Sequence, residues 1–326
     1  MIIRKIKNYH NSSFFKKIHL GQIPNEIQIL VFRLIKHFFC SDNKAYMSIK
    51  KYYIILVTLS LSLTLQQAAA QAKRIITLSS AISETVNALG YGKSILATDV
   101  TSVSPEEINR LPKVSRNRSF SVESITAFRP DLILVPEGDF SKENLYQFKS
   151  LGIRVVSIRQ EFSVEGATKF IRQIAAAIGD KTRGEQLAQK TENSVNTTLS
   201  LLKKGNKPPK VLFIYARGVG TMNVAGKGSS IDAIIKLAGG KNAIQEFSDF
   251  KPYTTEALIK SNPDIILMFD FGLSSLGGRE AFLDLPGVAY TNAGKNKRIV
   301  EMNGPLLINF SNRLPEAIKA LNNRIL

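Results

Sequence analysis

Apolar runs without alternation recur along this chain, among them Leu132–Val135, Val211–Ile214 and Ile265–Met268. Such runs, bounded by turn residues, predict strands buried on both faces of a parallel sheet. Two of them close a repeated unit. Ser121-Val-Glu-Ser-Ile-Thr-Ala-Phe-Arg-Pro-Asp-Leu-Ile-Leu-Val135 returns, 133 residues on, as Thr254-Thr-Glu-Ala-Leu-Ile-Lys-Ser-Asn-Pro-Asp-Ile-Ile-Leu-Met268. Each copy reads as a short helix carrying a glutamate, an X-Pro-Asp corner and a strand. Proline pushes Arg129 and Asn262 out of the right-handed helical region, so each helix ends there. The spacing is too long for a solenoid and suits two related α/β lobes.

The surrounding pattern extends this reading. Strands are expected at Arg74–Ser79, Ile95–Val100 and Arg154–Ile158, with helices at Ser83–Gly90, Val122–Phe128 and Lys142–Leu151. From Val164 to Lys204 the pattern is wholly helical, broken at Gly179-Asp180. Its second piece places Leu187, Thr191, Val195, Leu199 and Leu202 on one face, a rod of about 36 Å. A second series follows: strands at Lys210–Ala216 and Thr221–Val224, a helix at Ile231–Ala238, the repeat, a strand at Arg298–Met302 and a terminal helix at Leu306–Ile325 interrupted near Pro315. The expected fold is α/β, two Rossmann-like lobes with parallel sheets joined by a single long helix, with a ligand cleft between them. The boundaries are 73–162 for the first lobe, 163–209 for the connector and 210–326 for the second lobe.

What precedes residue 73 changes the available chemistry. Met47-Ser-Ile-Lys-Lys-Tyr-Tyr, the apolar stretch Ile54–Leu65 and Gln66-Gln-Ala-Ala-Ala-Gln-Ala72 have the three parts of a cleaved signal peptide. Residues 47–72 are therefore read as that peptide, and 1–46 as an upstream extension of the reading frame. His10, His19, His37 and Cys40 all precede Met47, so the mature chain has no imidazole or thiol. No cysteine stands at the cleavage site to take a lipid, so a soluble periplasmic product is expected. After Ala72 the chain holds 34 Lys and Arg against 24 Asp and Glu, a net charge of +10. That balance suits an anionic ligand or surface, and no nucleic-acid recognition motif accompanies it.

Two lobes behind a signal peptide resemble the substrate-binding proteins of ABC importers for heme, cobalamin and ferric siderophores, and most nearly the periplasmic hemin-binding proteins. The likeness rests on Leu111-Pro-Lys-Val114, Glu123, Arg129-Pro-Asp131, Tyr215-Ala-Arg-Gly218, Thr221–Gly228, Ala238–Ala243, Phe250-Lys-Pro252, Thr255-Glu-Ala-Leu258, Leu285–Ala289 and Arg313-Leu-Pro-Glu-Ala317. It implies that Glu123 and Glu256, one on each lobe, dock into arginine pockets of the two subunits of an inner-membrane permease. Two carboxylates far apart on a rigid body set register on a two-fold partner, because arginine–carboxylate contacts are directional. The same residues also read as solvated helix-face glutamates.

The resemblance further implies a Tyr-x-Arg loop, seven residues before the first glutamate, whose tyrosine ligates heme iron. Here Arg116 stands at the tyrosine position and Arg118 matches the arginine. A guanidinium has no lone pair for ferric iron, so Arg116 is a propionate clamp at most. Tyr215 and Tyr253 are the remaining phenolic donors. Tyr215 ends a strand where a parallel sheet meets ligand; Tyr253 lies three before Glu256, as Phe120 lies three before Glu123. Each reads equally as a packing residue. Met222 and Arg217 complete the candidates, as cleft filler and propionate partner. Gly226-Lys-Gly-Ser lacks the phosphate-loop spacing, and a histidine-based zinc or manganese site has no donors after Met47.

The expected function is capture of hemin, the transported ligand, and its delivery by a monomer to a dimeric ABC permease, without covalent chemistry. Cobalamin or a ferric siderophore is the alternative, since neither needs a protein donor. A chelatase-like enzyme lacks a histidine or cysteine base or nucleophile.

Overall fold

A computed structural model describes residues 72–115, 119–218 and 223–326. The upstream extension, all but the last residue of the expected signal peptide, and Arg116, Arg118 and Met222 lie outside the described residues. The first sheet is parallel throughout: β1 (Ile75–Thr77), β2 (Ile95–Thr98), β3 (Leu132–Pro136) and β4 (Arg154–Ile158), in the order β2-β1-β3-β4. Its central strands explain the missing alternation. Ile75, Leu132 and Leu134 face one apolar cluster, and Ile76, Ile133 and Val135 face another, all fully buried. Helices α1 (Ser80–Val86), α2 (Val122–Thr126) and α3 (Lys142–Ser150) flank these strands.

The connector is a helical hairpin. Gly179, at φ 98°, ends α4 (Val164–Ile178) in the left-handed region, and the Asp180 carboxylate accepts the Arg183 N–H at 3.0 Å to start α5 (Lys181–Ser200). The second helix folds back on the first. A Cβ on Gly184 would stand 2.3 Å from the Ala175 Cβ, and Arg172 donates twice to Glu185, at 2.7 and 2.9 Å. Phe170, Ile174 and Ile178 enter the first-lobe core with Leu187 packed against it, while Ala167 and Val195 lie in the second-lobe core. The expected rod to Lys204 is therefore four residues shorter, and it shares the bridging with α4.

The second sheet has the order β10-β9-β5-β6-β8, with β7 also on β5. Strands β5 (Lys210–Tyr215), β7 (Lys241–Asn242), β9 (Ile265–Phe269) and β10 (Ile299–Met302) run parallel. Strands β6 (Asn223–Ala225) and β8 (Phe250–Pro252) are antiparallel additions beyond β5. The second lobe therefore has the expected parallel strands, with an antiparallel ribbon added at one edge. Strand β8 is three residues long and exposed at each of them, so it carries no apolar run. The sheet is flanked by α6 (Ser230–Leu237), α7 (Thr255–Ser261) and the C-terminal α8 (Leu314–Ile325). The expected terminal helix from Leu306 is divided: a turn of helix at Gly304–Ile308 stops, residues 309–313 cross to the other lobe, and Pro315 lies in the first turn of α8.

Candidate ligand cleft and docking helices

The repeated unit folds twice into the same local structure. Ser121 Oγ accepts the Ser124 N–H at 3.0 Å to cap α2, and Thr254 Oγ1 accepts the Ala257 N–H at 3.2 Å to cap α7. Glu123 and Glu256 follow two residues after these caps, both exposed. The Glu256 carboxyl is held below the ordinary range by its own backbone N–H and the Thr254 hydroxyl. Asn262 caps α7 at φ 39°, while α2 is followed by a turn at 127–128 before its pre-proline residue Arg129, at φ 47°. Both sit in the left-handed region rather than the extended one that proline usually imposes.

The second-lobe candidates divide into two groups. Tyr215, half-buried at the end of β5, meets Phe269 edge-on at 5.9 Å between ring centroids and Phe271 at 6.1 Å. The Arg217 guanidinium lies 5.2 Å from the Phe271 centroid, so Tyr215 and Arg217 share one aromatic wall. Phe271 was missed from sequence. Its signal was its place two residues beyond β9, at the carboxyl edge of a parallel strand. Tyr253 belongs elsewhere. It packs with Phe247 against the cluster holding Leu212, Ile214 and Ile266, while Tyr215 packs against the one holding Phe213 and Leu267. Its hydroxyl lies 3.4 Å from Glu246 Oε1. Burial first, and then the Glu246 charge, raise its pKa despite a nearby Ser261 hydroxyl.

In the first lobe the structure describes both shoulders of the loop that holds Arg116 and Arg118. Ser115 and Phe120 form an antiparallel bridge. Lys113 Nζ donates to Thr98 Oγ1 at 2.9 Å and to the Ser102 carbonyl at 2.7 Å, and burial lowers its pKa despite the Asp99 charge. The Ser124 hydroxyl donates to the Val114 carbonyl at 3.0 Å, joining this shoulder to α2. Among the described residues no cluster of three His, Cys, Asp or Glu side chains could hold a metal ion, and no helix is long and apolar enough to cross a membrane.

The sequence profile described as periplasmic binding protein matches residues 75–306, well over half of the chain. The chain belongs to the periplasmic binding protein family. It is similar in structure to a periplasmic heme-binding protein, RhuT of Roseiflexus, at 32% identity and a TM-score of 0.74, over 78% of this chain and 98% of that one. A second periplasmic heme-binding protein, BhuT in complex with two hemes, is 33% identical with a TM-score of 0.73, over 78% and 97%. In sequence, a vitamin B12-binding protein of Salmonella choleraesuis is 28% identical over 68% of this chain and 80% of that protein. Members of the family bind solutes for transport, so this chain is a binding protein and not an enzyme.

A periplasmic binding protein needs its lobes held at a defined spacing, and residues 309–313 supply contacts that do so. Asn309 Nδ2 donates to Ser80 Oγ at 3.1 Å, and the Gln160 amide donates to the Asn309 carbonyl. Phe310 meets Phe162 edge-on at 5.5 Å. Arg313 Nη1 reaches Glu84 Oε1 in α1 and also approaches Ser104 Oγ at 3.5 Å. Burial raises the Glu84 pKa, against the opposing pull of Asn309 and Arg313. From sequence Arg313 was visible only as part of a motif, because nothing local marks a partner 229 positions away.

Proposed function

We propose that this protein captures hemin in the periplasm and hands it to an inner-membrane ABC permease. The observation that carries the reading is the likeness to heme-binding periplasmic proteins at about one third identity over nearly their whole length. The Tyr215–Phe271–Arg217 wall supports it, since it offers a phenol for ferric iron, an aromatic face for a porphyrin and a cation for a propionate. Arg116 and Arg118 contribute further cations from the first lobe, and Met222 an apolar contact. Tyr253 is the weaker donor, because its environment disfavours the phenolate. Glu123 and Glu256 dock the protein, as a monomer, onto the two permease subunits. Residues 47–72 act as the cleaved leader, 73–162 and 210–326 as the lobes, and 163–209 as the connector.

Titration of the purified mature protein with ferric hemin, followed at the Soret band, tests the assignment. A saturable one-to-one shift at micromolar protein is expected. No saturable shift, with tight binding of cyanocobalamin in its place, would replace heme by the ligand of the B12-binding relative.

A further inference from the structure

Both docking helices are fastened to their sheets by one and the same device. Just before β1, the Arg74 backbone N–H donates to Asp131 Oδ2 at 3.2 Å, and the Asp131 N–H returns a bond to the Arg74 carbonyl at 2.9 Å. At the first position of β5, the Lys210 N–H donates to Asp264 Oδ2 at 2.9 Å, and the Asp264 N–H returns to the Lys210 carbonyl at 2.8 Å. The side chains then reach the same place. Arg74 Nη2 donates to the Phe128 carbonyl at 2.6 Å and Nε to the Arg129 carbonyl at 2.8 Å, while Lys210 Nζ donates to the Ser261 carbonyl at 3.0 Å. Phe128 and Ser261 are equivalent positions of the repeat, 133 residues apart. Arg74 therefore sits on carbonyls of the turn that follows α2, and Lys210 on the carbonyl of the last residue of α7, each beyond the negative end of its helix. The Asp264 carboxyl is held below its ordinary range: burial alone would raise it, but the Lys210 N–H, the Asn292 amide and the charges of Lys210 and Arg298 outweigh that.

We infer that Arg74 and Lys210 are positioning residues for docking, each pinning a glutamate-bearing helix to a central strand so that Glu123 and Glu256 present a fixed spacing to the permease. The inference rests on the docking reading of those two glutamates. A helix of five or seven residues has little stability of its own, so its orientation must come from such ties. The left-handed Arg129 and Asn262 fit the same device, turning the chain so that the carbonyls face the cation and the aspartate faces the strand. Neither cation belongs to the Tyr215–Phe271–Arg217 wall, so loss of a pin acts on docking and leaves ligand capture alone.

The test measures ATPase stimulation of the reconstituted cognate permease by purified protein loaded with ferric hemin. Arg74→Gln, which loses two partly solvated charge-assisted bonds, and Lys210→Gln, which loses one, should each raise the apparent KM for the binding protein about fivefold or more. The maximal rate and the Soret titration should stay unchanged, and Arg74→Lys and Lys210→Arg should recover most of the effect. Where a glutamine variant folds poorly, Asp131→Asn and Asp264→Asn should raise KM in the same direction by a smaller factor. An unchanged KM in the pin variants, beside a raised KM in Glu123→Ala/Glu256→Ala, overturns the pins and leaves the docking reading standing. An unchanged KM in that double variant removes both. A hemin affinity that falls in proportion to KM also overturns the inference, since the residues would then hold the fold in general.

Discussion

Arg313, in the second lobe, places Nη1 3.3 Å from Oε1 of Glu84 in the first, a carboxylate whose side chain is only 3% exposed. The second oxygen, Oε2, has no hydrogen-bond partner among the described residues. Burial raises the Glu84 pKa in the fold. A raised carboxyl contributes stability that is fully present below the ordinary glutamate pKa of about 4.3 and is lost as pH rises through the folded value. Carboxylates with lowered values, such as Asp180, Asp232 and Asp264, act in the opposite sense, losing their contribution as pH falls. Glu84→Gln removes one titration and leaves the others. Urea unfolding between pH 4 and pH 7 should show the stability of the variant rising relative to the parent as pH rises, by at most about 1.4 kcal/mol per unit. A difference that stays flat would contradict the raised Glu84.

The two candidate tyrosines should separate spectroscopically. Tyr215→Phe should shift the Soret band of the ferric hemin complex and weaken binding about tenfold, the scale of one lost polar contact. Tyr253→Phe should leave the spectrum unchanged, because its hydroxyl faces Glu246 and its phenolate is disfavoured. The opposite pattern would move the ligand to the other face of the second sheet.

Docking predicts a division between capture and delivery. Glu123→Ala/Glu256→Ala should abolish hemin uptake by cells while leaving the Soret titration intact, and each single variant should raise the permease KM about tenfold. Both side chains are exposed, so neither change should alter the unfolding free energy by more than about 0.5 kcal/mol. Normal uptake by the double variant would refute the docking role.

The helical hairpin has one position at which a single methyl group decides the packing. Gly184→Ala sets two Cβ atoms 2.3 Å apart, and the overpacking outweighs the gain in helix propensity. We expect a loss of about 1–2 kcal/mol in urea unfolding. Adding Ala175→Gly should restore most of it, since that removes the methyl group in the way. A variant as stable as the parent would show that the helices separate at little cost.

Much of this architecture was legible because the sheets are buried on both faces. Leu132–Val135 and Ile265–Met268 feed two clusters each, which is why they read as unbroken apolar runs and fall where expected. The corners at Arg129 and Asn262 were legible as helix ends, because proline denies its predecessor the helical region. Their left-handed twist was not, because the carbonyls that make it worthwhile answer to Arg74 and Lys210, more than fifty residues away. Strand β8 escaped for the opposite reason: its three exposed residues carry no periodic signal. The site was less legible than the fold. Tyr215 and Arg217 could be named from their motif, but Phe271, which joins them, is one aromatic among many until β9 sets its place.

The connector belongs to the interiors of both halves of the chain. Leu187 packs on one interior and Val195 lies in the other, on a single helix and about 12 Å apart along its axis. Neither half owns a complete set of inward-facing side chains, because each borrows some from the segment that joins them. The two halves share that segment, so heating should release both in one cooperative transition.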